Sequence, residues 1–365
     1  MTPSQEPGNR YLFLDFLRAL AAWLVVWDHI ANSMLREQGR TFLPARWVHD
    51  NISAPLGVIQ DFGWFGVAMF FLISGFIISD RARVEGGLEF VIKRVLRIYP
   101  MLAVAVLLSC LFLAGEADLT PRTIILNLTL ANYLVIPQIA LVGAAWTLVI
   151  EVMFYALTAS TQFMRASPHR IAFNLAFVAL MIWKRGAFGA NFALFAGAVS
   201  YLPILVMGQT IYWWLARSRL SAPWGLAYLL AAYGVFVWGL KEAQPGFLLV
   251  TNSYVISVAY ALLLFVVLLR AKLPEWRWVR FLSDTSYSVY LLQGSIGWLV
   301  LMAMIKRAPL SVSIPAAAGA TLLAAFVTHK LVELPTQRLG RRLTRNLRAW
   351  PATAIRPLKG AEESA

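Results

Sequence analysis

The stretch NRYLFLDFLRALAAWLVVWDHIANS, residues 9–33, decides how the rest of the chain is read. It is long enough to cross a bilayer, which takes about 20 apolar residues in a helix. It also carries Asp15, Arg18, Asp28 and His29 within or beside that span. An ionisable group at membrane depth costs about 2.5–3.5 kcal/mol on insertion scales, and a helix that only anchored the chain would not need four. Arg18 and His29 are eleven residues apart, which is roughly three helical turns with about 20° left over and a rise of about 16 Å. They therefore share one stripe, Arg18 towards one membrane face and His29 towards the other. Such a stripe should face a polar interior rather than lipid.

The composition agrees. Of 365 residues, 59% are hydrophobic and 14% charged, against about 25% charged in a soluble domain, and the mean hydropathy is +0.66. The chain is an integral membrane protein, and its 14 Trp suit interfacial anchoring. The net charge of +14 does not point to nucleic acid, because the Lys and Arg residues cluster in short segments between apolar runs, as the positive-inside tendency requires. The single Cys110 excludes an internal disulfide and a Cys-based metal site, and no metal centre is expected. The first apolar run is too long, too charged and too poor in small residues at its end to be a cleavable signal.

The expected architecture is all-α, a polytopic transmembrane helical bundle of about ten spans. These are placed at 11–34, 62–79, 99–113, 146–163, 171–183, 194–215, 224–240, 248–269, 286–305 and 312–334. Residues 1–8 read as a disordered N-terminus, 9–342 as the membrane domain and 343–365 as a basic cytoplasmic tail. Residues 81–97 read as a basic loop, and 123–136 as an interfacial or re-entrant piece on the outside. Counting back from the basic tail places Arg270, Arg217, Arg219, Arg165 and Arg170 on the cytoplasmic side.

Several constellations stand out. GWFGVAMFFLISGFIIS, residues 63–79, holds Gly63, Gly66, Ser74 and Gly75, small residues that admit close helix approach and are more often packing than a site. FVIKRVLRIYP places Arg94 and Arg97 one turn apart at the inner face. Guanidinium forks suit phosphate, although such a pair also sets topology or meets anionic headgroups. WTLVIEVMFY buries Glu151, either paired with an arginine such as Arg18 or chemically active. Near the end, SYSVYLL and VELPTQR read as architectural, with Glu333 pairing to Arg338 or to the loops. His29 is the neutral-pH base of the first span, suited to take a proton from a hydroxyl or to serve a proton relay.

In this order and at these distances the stretches LDFLRALAAWLVVWDH, FGVAMFFLISGFIIS, KRVLRIYP, WTLVIEVMFY, SYSVYLL and VELPTQR resemble the acyltransferase-3 family of bacterial membrane proteins, over residues 10–342. One departure is Gln293, where the family often has a His after SYxxYLL. The resemblance implies an acyl donor on the cytoplasmic side, most simply acetyl-CoA or another acyl-CoA, with no permanently bound cofactor. It implies a carbohydrate or glycolipid acceptor towards the outside, a bacterial inner membrane with its lipids around the protein, and no nucleic-acid partner. His29, Arg18 and Glu151 become the expected catalytic groups, and Arg94 and Arg97 the donor-binding pair. Trp146, Ser74 and Asp28 become the substrate-binding residues, with Trp146 and Glu151 towards the outer face. Two other classes are a transporter or flippase, with the buried charges as its path, and a scaffold for envelope-assembly partner proteins.

Overall fold

Inside lipid every backbone N–H and C=O must find a partner within the protein, and this chain meets that demand with helices. The computed structural model describes residues 11–112, 119–165, 167–243 and 248–345, and among these there is no β-strand. The segments 1–8 and 346–365, read above as disordered terminus and basic tail, lie outside the described residues.

The first helix, α1 (Leu12–Asp28), runs without a break through a wide π turn, His29–Ser33, into a further turn, Met34–Glu37. Then follow α2 (Gly63–Val84), α3 (Gly87–Phe112), the short α4 (Pro121–Leu128), α5 (Trp146–Ser160) and α6 (Arg170–Trp183). The second half holds α7 (Ala190–Val199), α8 (Leu202–Ile211), α9 (Ala222–Ala243), α10 (Leu248–Arg270), α11 (Arg277–Leu292), α12 (Trp298–Met304), α13 (Leu310–Thr328) and α14 (Leu334–Thr344). Among the described residues eight segments are long and apolar enough to cross a membrane. The two further spans read from the sequence are α1, which carries Asp15, Arg18 and Asp28, and α6, which has only 14 residues.

Two sequence expectations need correction. Residues 81–97 are not a loop: α2 continues to Val84 and α3 starts at Gly87, so Arg81, Lys93, Arg94 and Arg97 all stand on helices. Hydropathy falls where charge begins, but a helix continues beyond the hydrocarbon as long as its backbone pairs. The C-terminal helix likewise runs to Thr344, so residues 343 and 344 are helical rather than tail. Residues 123–136 do form a non-spanning piece. Thr120 Oγ1 caps α4 by accepting from Thr123 N at 3.2 Å, and a 3₁₀ turn, Ala131–Tyr133, follows.

The bundle is assembled on α2, whose small residues let backbones meet. A methyl group on Gly66 would lie 2.7 Å from the Ala21 carbonyl oxygen of α1, and one on Gly63 would lie 2.5 Å from the Asp28 carboxylate. On the opposite face Gly75 meets α8, where a methyl would lie 1.8 Å from Leu205 O, and Gly208 of α8 returns the contact 2.2 Å from Leu72 O. Around this seam Phe76 is fully buried and packs edge-on against Phe13 of α1 and Tyr212 at the end of α8. Close packing of this kind replaces the hydrophobic drive that lipid does not supply. Gly75→Ala or Gly208→Ala is therefore expected to cost about 1–3 kcal/mol by overpacking. Gly234→Ala, with open space around it, is expected to leave stability unchanged. Thermal unfolding of the detergent-solubilised protein distinguishes them.

Candidate active site

Three cavities follow one another along α1 and α2. The widest, about 490 Å³, lies at the basic end of the bundle, walled by Arg81, Lys93, Arg94 and Arg341 among others. A narrow one of about 70 Å³ comes next, lined by Phe70, Phe71 and Ile73 together with Ser74, Glu151 and Tyr287. The last, about 280 Å³, holds Asp28, His29, Gln60 and an aromatic wall of Trp64, Trp146 and Tyr201. Arg18, Ile77 and Arg97 line both the first and the second. Val67 and Tyr290 line both the second and the third. The second is thus a neck between a basic chamber and an aromatic one.

The stripe read from α1 is what orders this path. Arg18 stands where the basic chamber narrows, and His29 stands three turns on in the aromatic chamber. His29 opens the π turn, a widened turn that recurs at functional sites. Among the described residues its imidazole makes no hydrogen bond. Asp28 beside it is buried and accepts a long bond from Ser33 Oγ at 3.5 Å rather than one from His29. Adjacent helical residues point about 100° apart, so the two reach different parts of the chamber.

The neck carries the buried charge. Ser74 Oγ of α2 donates to Glu151 Oε1 of α5 at 3.0 Å, and Tyr155 OH, one turn further along α5, donates to the same oxygen. Arg97 lies within electrostatic reach of Glu151, Tyr155, Glu333 and Tyr287. Glu333 is itself fixed by Ser288 Oγ at 3.0 Å, His329 Nδ1 at 2.9 Å and Gln337 Nε2 at 3.0 Å, and not by Arg338. Glu151 therefore sits in the neck, not beside His29 at the outer face as expected. It lies five residues deeper along α5 than Trp146, a drop of about 7.5 Å at 1.5 Å per residue. Trp146 alone of that pair reaches the aromatic chamber, stacked on Trp64 with centroids 6.0 Å apart and planes 14° apart.

Arg94 is on the wall of the basic chamber, buried, with its guanidinium 3.4 Å from Glu85 and over the rings of Phe90 and Tyr155 at 5.3 and 5.9 Å. Gln293 lies behind Tyr290, fully buried, and its amide donates to the Tyr290 carbonyl at 3.3 Å.

Sequence reasoning missed part of the aromatic chamber. Tyr201, Tyr254 and Tyr290 come from three distant helical segments, and only Tyr290 lies in a quoted motif, SYSVYLL. Gln60 was hidden in the polar connection. It belongs to three consecutive residues with positive φ, Gln60, Asp61 and Phe62, at 55°, 41° and 76°. Such backbone costs about 1–3 kcal/mol per residue and persists only where its surroundings impose it. Here buried Asp61 imposes it, accepting from Ser53 Oγ at 2.6 Å and pairing with His49 Nδ1 at 2.7 Å. Another connection, between α4 and α5, is fixed by Tyr133, whose OH donates to Val142 O at 2.7 Å. Burial pushes that phenol up to about 12, which keeps it a donor.

The family model described as an acyltransferase domain matches residues 11–330, which supply all the lining of the three cavities except Gln337 and Arg341. Nodulation protein 10 of Rhizobium leguminosarum bv. viciae is 27% identical over 326 residues, covering 80% of this chain and 84% of that protein. No solved structure gives a significant match. A multi-pass helical bundle with this match over nearly its entire length is a membrane acyltransferase, and the chain belongs to the acyltransferase-3 family.

Proposed function

We propose that the protein takes an acyl group, most simply acetyl, from a cytoplasmic acyl-CoA and passes it to a hydroxyl of a carbohydrate or glycolipid on the other side of a bacterial inner membrane. The observation that carries this reading is a half-buried imidazole that, among the described residues, has no hydrogen-bond partner and faces a chamber that joins a basic chamber through a narrow neck. The basic chamber, rimmed by Arg81, Lys93, Arg94 and Arg341, takes the cytoplasmic side by the positive-inside tendency. A nucleotide with several phosphates suits it in size and charge. The neck admits only a slender chain, such as the pantetheine arm.

With the thioester at the outer end of the neck, two routes are open to His29. As a base, it takes the proton of the acceptor hydroxyl while that oxygen bonds to the acyl carbon and the carbon–sulfur bond breaks. The thiolate then receives the proton. As a carrier, its ring nitrogen first bonds to the acyl carbon as the carbon–sulfur bond breaks and the thiolate leaves. The acceptor oxygen then bonds to that carbon as the carbon–nitrogen bond breaks, and the hydroxyl proton passes through the imidazole to the thiolate. Arg18 and Arg97 steady the arm in the neck, and Glu151, held by Ser74 and Tyr155, offsets their charge. The aromatic faces of Trp64 and Trp146 suit the apolar faces of a sugar ring, with Asp28 and Gln60 in place for its hydroxyls. Gln293, behind Tyr290, shapes this wall and carries no proton.

Membranes bearing the wild-type chain and supplied with radiolabelled acetyl-CoA are expected to label carbohydrate or lipid. His29→Ala is expected to lower that transfer at least about 10²-fold, and transfer that survives the substitution would remove His29 from the chemistry. Ser74→Ala and Glu151→Gln act on one hydrogen-bonded unit. Their effects on transfer are therefore expected to be non-additive, with a coupling of about 0.5–3 kcal/mol in a double-mutant cycle. Additive effects would separate Ser74 from the neck.

A further inference from the structure

We propose that Arg81 and Arg341 form a clamp for the phosphates of the donor at the mouth of the basic chamber, with Arg94 and Lys93 as its fixed wall; this rests on the acyl-CoA reading above. The chamber is lined by six basic groups, Arg18, Arg81, Lys93, Arg94, Arg97 and Arg341, against four acidic ones. Most are already engaged. Lys93 Nζ lies 2.9 Å from Glu85 and 2.5 Å from Glu89, and Arg94 shares Glu85. Asp80 accepts from Tyr212 OH at 3.1 Å, Asp15 from Ser283 Oγ at 3.0 Å, and Asp284 lies 4.0 Å from Arg280. Arg18 and Arg97 are shared with the neck.

Arg81 and Arg341 are different. Both are exposed, both line the chamber, and among the described residues neither makes a hydrogen bond or an ion pair. They come from separate helices, the last turn of α2 and the last turn of α14, and both line the chamber. Their backbones are well held. Gly340 of α14 packs on Leu96 of α3, where a methyl would lie 3.5 Å away, and Gln337 is tied to Glu333. Two uncommitted guanidinium forks on braced helices form an anion site, because each matches two phosphate oxygens. Anionic lipid headgroups share that chemistry. The placement favours the donor, since the pair faces a chamber that tapers into a neck of about 70 Å³, the shape of a ligand with phosphates at one end and a thin arm at the other.

The test is binding of CoA, 3′-dephospho-CoA and pantetheine to the purified full-length chain, alongside Arg81→Ala, Arg341→Ala, Arg341→Lys and the double alanine variant. Each alanine is expected to weaken CoA about tenfold, the loss of one charged hydrogen bond, and the pair more. Pantetheine binding is expected to be unchanged, and Arg341→Lys to recover part of the loss. Wild type that binds CoA alongside variants that bind it equally well would overturn the clamp and leave the donor reading standing. Wild type that binds no CoA would overturn both. Equal losses for CoA and pantetheine would mean general damage and overturn the clamp. So would unchanged CoA affinity with less co-purified anionic lipid, which would assign the pair to headgroups.

Discussion

The structure depends on keeping arginine charge inside an apolar helical bundle. Arg18 and Arg97 line both the basic chamber and the neck, and a charge within an apolar bundle is stable only when it is met by polar partners. The groups that meet the charge of Arg97 come from several elements. Glu151 and Tyr155 belong to α5, Tyr287 to α11, and Glu333 to the π turn before α14. Ser74 of α2, and Ser288 with His329, in turn fix the two carboxylates. Satisfying that charge ties α2, α3, α5, α11 and the last helix around the same narrow space. The glycine seams of α2 allow it, since Gly66 and Gly75 bring α1 and α8 to backbone contact on either side. A neck built in this way resists widening.

The chambers at the two ends of the neck differ in chemistry. One is rimmed with guanidinium and ammonium groups, the other walled with Trp and Tyr. On the proposed reading, a phosphorylated donor and a hydroxylated acceptor would not compete for the same surface and would meet at the end of the neck. Holding both reactants at one point would supply much of what a transferase needs, and the proposed path has an apolar lining of Phe70, Phe71 and Ile73 in the neck. Among the described residues His29 makes no hydrogen bond in the aromatic chamber, while Asp28 is turned towards Ser33 and the backbone of Gly63.

Much of this was legible in the sequence because charge in an apolar helix is so costly. The spacing of Arg18 and His29 gave the direction of the path, and the residues expected to bind or react all lie along it. What was not legible depended on tertiary packing. Glu151 reads as a partner of His29 when α5 is placed by hydropathy alone, whereas tertiary packing sets its carboxylate against Ser74 of α2 and Tyr155 in the neck. Tyr201 and Tyr254 look like ordinary interfacial aromatics until α2 brings Trp64 against both, at 5.5 and 4.9 Å between ring centroids. The turn holding Gln60 is imposed by Asp61, Ser53 and His49 across a connection without hydrophobic period. The division of labour among the basic residues was hidden too, since Glu85, which engages Arg94 and Lys93, gave no signal among the charges of 81–97.

The central claim is that one continuous path joins the basic chamber to His29. An electrophilic donor analogue, bromoacetyl-CoA, tests it most directly when offered to sealed membrane vesicles of each orientation, with the modified residue located by mass spectrometry. The account predicts alkylation of His29 when the analogue meets the basic face, protection by excess CoA, and no reaction from the other side. Modification confined to the mouth of the basic chamber, or of His29 only from the aromatic face, would contradict it.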